Sequence, residues 1–80
     1  MELKYDGYKD QKYIRALCRT LIMPHKGQVV SGMSMRIEAS DLYHLSIDHH
    51  EFAYTLDQMS REGLAEHSAY HGGDTQYKIL

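Results

Sequence analysis

Eighty residues, 42% of them apolar and 25% charged, give room for one compact domain and exclude both a second domain and a disordered chain. A single cysteine, Cys18, excludes an intrachain disulfide and a small secreted scaffold held by bridges, so a reducing, cytoplasmic setting is expected. The apolar runs are interrupted by Arg19 and Pro24, and Met1-Glu2-Leu3-Lys4 lacks a signal-peptide core, so no membrane partner is expected.

The net charge of −2 hides a split along the chain. Residues 1–36 carry Lys4, Lys9, Lys12, Arg15, Arg19, Lys26 and Arg36 against Glu2, Asp6 and Asp10. Residues 37–80 carry Arg61 and Lys78 against Glu38, Asp41, Asp48, Glu51, Asp57, Glu62, Glu66 and Asp74. The split is consistent with a basic face for polyanions, an acidic face for a protein, or two solvated surfaces.

Residues 1–9 show no clear period and read as an irregular arm or a short strand. From Asp10 the residues Tyr13, Ile14, Leu17, Cys18, Leu21 and Ile22 recur at helical spacing and predict a first helix with one buried stripe. Pro24 ends it near Met23, because proline cannot extend the ladder and disfavours helical geometry before it. His25-Lys26-Gly27 reads as a loop. In Gln28 to Ile37, the alternation of Met33, Met35 and Ile37 predicts a half-buried strand, with Ser31-Gly32 as a turn that could make a small hairpin. A second helix is expected over about Ala39 to Leu45, starting near Glu38 or Ser40, with Leu42 and Leu45 inward.

Ser46-Ile47-Asp48 reads as a tight turn. Asp48 followed by Glu51 has the form of a capping box and starts a third helix, whose buried face is Phe52, Leu56 and Met59. Gly63 supplies a left-handed end after Glu62, letting Leu64 fold back onto the core. Leu64 to Tyr70 and Thr75 to Leu80 then flank His71-Gly72-Gly73-Asp74, a glycine pair suited to a hairpin turn. The expected fold class is α+β, three helices and a C-terminal β-hairpin in one domain spanning 1–80, with the hairpin at 68–80.

This order, from the basic helix through Leu42-x2-Leu45…Phe52-x3-Leu56-x2-Met59-x3-Gly63-Leu64 to the glycine hairpin, resembles the winged helix-turn-helix superfamily of DNA-binding domains. The resemblance covers about residues 10–80. It implies that helix 3 enters the major groove of double-stranded DNA while the wing follows the backbone or a neighbouring minor groove. Carried over, the outward residues are His49, His50, Ala53, Tyr54, Asp57, Gln58 and Arg61, with His71 at the wing tip. Gln58 could pair with adenine in bidentate fashion. This sequence departs from the family in charge: helix 3 holds Asp48, Glu51, Asp57 and Glu62 where DNA readers usually place Arg or Lys. Two readings follow. Lys9, Lys12, Arg15, Arg19 and Lys26 supply the phosphate contacts of a transcription regulator, or the acidic helix docks on a basic protein partner as an inhibitor or adaptor.

Tyr5, Tyr8 and Tyr70 are candidates for a homodimer contact, since small winged helices pair to read two half-sites. Six histidines suggest a pH response, as imidazoles gain charge below about pH 6.5. Zinc needs three or four convergent ligands, Cys18 lies on the expected buried face, and no metal or other cofactor is expected. Ser, His, Asp and paired carboxylates occur in the composition, yet no phosphate loop, nucleophile elbow or zinc signature appears, so no enzyme is expected.

Overall fold

The computed structural model describes residues 11–71 and 74–80, and the side chains of all of these except Tyr70 and His71. The arm, Lys9 within it, and Gly72-Gly73 of the hairpin lie outside the described residues, as do Tyr5, Tyr8 and the side chains of Tyr70 and His71. The elements are α1 (Gln11–Ile22), a 3₁₀ turn (Met23–His25), β1 (Val29–Ser31), α2 (Gly32–Tyr43), α3 (His49–Arg61), β2 (Ala65–His71) and β3 (Asp74–Ile79). The strands form one antiparallel sheet in the order β1-β3-β2, with Val30 opposite Tyr77, Ala65 opposite Ile79, and an irregularity between His67 and Ala69. Three helices and this sheet make a small winged helix.

α1 buries Ile14, Leu17, Cys18, Leu21 and Ile22, as its period predicts, while Tyr13, expected in that stripe, stands at its edge with nearly half its surface exposed. Pro24 sits at the start of the 3₁₀ turn, where its missing N–H costs nothing. The next segment departs from expectation. β1 is only three residues long, and Met33, Met35 and Ile37 lie on a helix.

The cause is Ser31, whose side chain accepts the Ser34 N–H at 3.1 Å while Ser34 Oγ accepts the Ser31 N–H at 2.9 Å. That reciprocal cap starts α2 where a hairpin turn is expected. Helix 2 is therefore a full 12 residues, not Ala39 to Leu45. Its buried face is Gly32, Met35 and Ala39; Leu42, expected inward, is 66% exposed, and Ile37 is half exposed. His44 adopts the left-handed conformation at φ 55°, which turns the chain so that Leu45 and Ile47 enter the core.

α3 matches its expected span. Phe52, Leu56 and Met59 are fully buried, and Thr55 joins them beside Cys18. Asp48 caps the helix by accepting the His50 N–H at 2.7 Å, but the reciprocal bond of a capping box is absent because the Glu51 carboxylate turns to Arg15. At the far end Gly63, at φ 79°, donates to Ser60 O at 3.2 Å and Leu64 N donates to Met59 O at 2.8 Å, a Schellman closure. Leu64 remains partly exposed and Ala65 is the residue that enters the core.

Candidate nucleic-acid interface

The strand register orients α3 along the sheet. Its start lies at the hairpin-tip end, because Gly32 packs against His49 and Ala53 while the neighbouring Ser31 pairs with Gln76 of β3. Its end leads into Ala65, opposite Ile79 at the base of the sheet. Met33 N at the start of α2 makes a long contact, 3.5 Å, with Asp74 Oδ1. The starts of α2 and α3 and the hairpin tip therefore occupy one end of the molecule.

Of the expected reading residues, His50 and Tyr54 form the exposed part of α3, their side chain and residue surfaces 80% and 43% open. Arg61 lies two turns further along, at the end of α3, and holds Asp57 at 3.1 Å. His49 is half exposed, its ring 4.0 Å from that of His50. Ala53 faces α2 and is partly covered, since a methyl group placed on Gly32 would stand 3.2 Å from its Cβ. Gln58 lines a shallow groove of about 220 Å³ between α1 and α3, with Arg15, Ala16, Arg19, Tyr54 and Thr55.

The basic residues of α1 do not form a free phosphate-binding row. The Arg15 guanidinium stacks 3.6 Å above the Tyr54 ring and lies 3.8 Å from Glu51, with its Nε buried and unbonded. Arg19 grips Glu62 through two bonds of 2.7 and 3.0 Å. α1 and α3 thus run side by side with Arg15 near the start of α3 and Arg19 at its end. The opposite charges of the two halves of the sequence meet across this seam. Arg19 holds the Glu62 carboxyl below the usual carboxylate range. Lys12 is exposed one turn before Arg15, on the side of the α3 start. Lys26 follows the 3₁₀ turn, and Gly27 beside it bonds to Ile79 O, so Lys26 sits at the base of the sheet, away from the hairpin tip.

A cation outside the expected set lies beside the start of α3. Arg36 on the second turn of α2 lines a cleft of about 390 Å³ with Ser40, Leu45, Ser46, Ile47 and Asp48, beside the start of α3, and makes no ion pair among the described residues. The signal for it was the i, i+4 spacing of Arg36 and Ser40, visible once this segment is read as a helix.

Asp48 gathers polar hydrogens. Its Oδ1 accepts the His50 N–H and lies 2.9 Å from His50 Nδ1 and 3.6 Å from His49 Nδ1, and the backbone N–H bond above all holds its carboxyl below the usual range. Cys18 has the opposite character: burial pushes its thiol up to about 12, which keeps it protonated and unreactive.

No protein-family model and no curated protein matches this chain. Among solved structures it is similar to RosR of H. salinarum. In the hsRosR-S4 complex the identity is 20% over 94% of this chain and 59% of that one, with a TM-score of 0.56. The hsRosR-S1 complex gives 20% identity, 94% and 61% coverage and a TM-score of 0.55, and RosR grown from NaBr gives 20%, 94%, 62% and 0.55. The chain spans about 60% of the length of these structures. The likeness bears out the winged helix-turn-helix fold.

Proposed function

We propose that the chain is a small cytoplasmic DNA-binding regulator that reads a duplex with the starts of α2 and α3 and the hairpin beside them. The observation that carries this reading is the exposed pair His50 and Tyr54 in the first half of α3, at the hairpin-tip end, in a fold similar to that of RosR. In this reading His49, His50, Tyr54 and Gln58 offer hydrogen bonds to base edges, and Ala53 and Asp57 line the approach. Arg36 and Lys12 meet phosphates at that end, and Lys9 and His71 are proposed as further phosphate contacts. Arg61 is held by the partly exposed Asp57, and such exposed pairs contribute little, so it can exchange a carboxylate for a phosphate, whereas Arg15 stays stacked on Tyr54 beside the largely covered Glu51. Arg19 and Lys26 lie toward the other end and have the smallest part. Docking of an acidic α3 on a basic protein is the second reading, and no observation of the site supports it better.

Fluorescence anisotropy of a labelled duplex pool, titrated over salt, tests the reading. Contacts to roughly three or four phosphates predict a slope of about −3 in log affinity against log salt concentration. Failure to bind any duplex at low salt would overturn the proposal.

A further inference from the structure

Asp48, His49 and His50 bring a carboxylate and two imidazoles together at the start of α3. One donor atom from each lies within 4.8 Å of the other two. Asp48 Oδ1 stands 2.9 Å from His50 Nδ1 and 3.6 Å from His49 Nδ1. Donors held at the usual 2.0–2.2 Å from one tetrahedral ion are separated by about 3.3 Å, a value that these two distances bracket. The two rings lie 4.0 Å apart, tilted by 35°, and each presents Nδ1 to the same Asp48 oxygen.

We infer that these three residues form a surface site for a borderline divalent transition-metal ion, of the class of Zn²⁺, Co²⁺ or Ni²⁺. Two imidazoles and one carboxylate suit that class and not the hard ions, which prefer all-oxygen shells. Capping does not exhaust Asp48, since a carboxylate has about four acceptor positions and the His50 N–H takes one. On binding, the proton that His50 Nδ1 shares with Asp48 moves to Nε2 of the same ring or to water, leaving Nδ1 as the donor atom. The positive end of the helix opposes a cation, and the Asp48 carboxylate at that end offsets it. Arg36 lines the adjoining cleft with Asp48 and makes no ion pair with it. Three protein donors leave the remaining positions open to water or to an oxygen of another molecule. The inference goes beyond DNA binding and does not depend on it.

The test uses the untagged full chain and no DNA. Calorimetric titration with zinc chloride at about pH 7.5 is expected to give one ion per chain in the micromolar range, weakening on acidification as the imidazoles take up protons. Long-range ¹H–¹⁵N spectra should shift the rings of His49 and His50 and leave those of His25, His44 and His67. His49→Ala and His50→Ala should each weaken binding at least about tenfold, and His67→Ala should not. Asp48→Asn, which keeps a good helix cap while removing the charged ligand, should weaken it while the circular dichroism of the fold is retained. Absence of saturable zinc binding, or one-to-one binding that survives the His49→Ala/His50→Ala double change, overturns the inference.

Discussion

Replacing Gly32 with alanine probes the crossing that brings the starts of α2 and α3 together. A Cβ there would lie 2.6 Å from the His49 carbonyl oxygen, 3.3 Å from the Ala53 nitrogen and 3.2 Å from the Ala53 Cβ. Two of these three neighbours are backbone atoms of α3, which cannot rotate away as the end of a side chain can. In an open helix the change would stabilise by at most about 1 kcal/mol, since alanine is the better helix former. Forcing a methyl into a filled contact costs about 1–3 kcal/mol, and a 2.6 Å approach to backbone belongs at the upper end. The balance is a net loss of about 1–2 kcal/mol. For a domain of this size that lowers Tm by roughly 5–15 °C. Thermal melts followed by circular dichroism, with urea titrations beside them, measure it directly. Adding Ala53→Gly should not restore the loss, because the contacts with the His49 carbonyl and the Ala53 nitrogen persist and a glycine within α3 itself costs about 1 kcal/mol. A Gly32→Ala chain that melts at or above the original temperature would refute the close crossing of α2 and α3.

Other consequences can be checked on the same protein. Gly63→Ala meets no neighbour, so its cost is the left-handed backbone alone, about 1 kcal/mol in chemical unfolding. His25 places its two ring nitrogens 2.7 Å from Gln28 Oε1 and 2.8 Å from Glu38 Oε2, bonds that only the doubly protonated ring makes as a donor at both. Burial works against that charge, but the bonds to Glu38 and Gln28 and the Glu38 charge outweigh it, so its pKa is raised. The resulting stability is present at pH below the ordinary imidazole range and fades as the pH rises through the raised value. The melting difference between the original chain and His25→Gln should accordingly be larger at about pH 6 than at about pH 8. Cys18, buried and with its thiol pushed up to about 12, should resist alkylation in the native protein and react fully in denaturant; rapid native labelling would contradict its placement. Arg19→Ala should leave Tm nearly unchanged, since the pair it breaks with Glu62 is exposed.

The parts of the fold that were legible in the sequence are those in which one signal dominates. Phe52, Leu56 and Met59 repeat at helical spacing between a capping Asp48 and a closing Gly63, and the glycine pair marks the hairpin. Around Ser31 two signals compete. Val29, Val30 and the alternating Met33, Met35 and Ile37 favour a strand, and only the Ser31–Ser34 cap tips the balance to a helix. With the helix starting at Ser31 rather than near Ala39, Leu42 turns outward and Arg36 comes to the face it shares with Ser40. At the candidate site, the resemblance places His50 and Tyr54 outward and both are exposed, while Ala53 of the same set faces α2. The pairing of Arg19 with Glu62 did not, because it spans 43 positions and depends on how two helices dock. An excess of charge in one half of a sequence does not reveal whether its partner lies in the other half or in another molecule.

The claim that the starts of α2 and α3 read DNA is tested most directly by ¹⁵N chemical-shift mapping while duplex DNA is titrated into the labelled chain at low salt. The account predicts shifts concentrated at Met33 to Arg36, His49 to Gln58 and the hairpin strands near Asp74, with small changes at Arg19 and Lys26. Shifts centred on Arg19, Lys26 and the base of the sheet, or no shifts with any duplex, would contradict it.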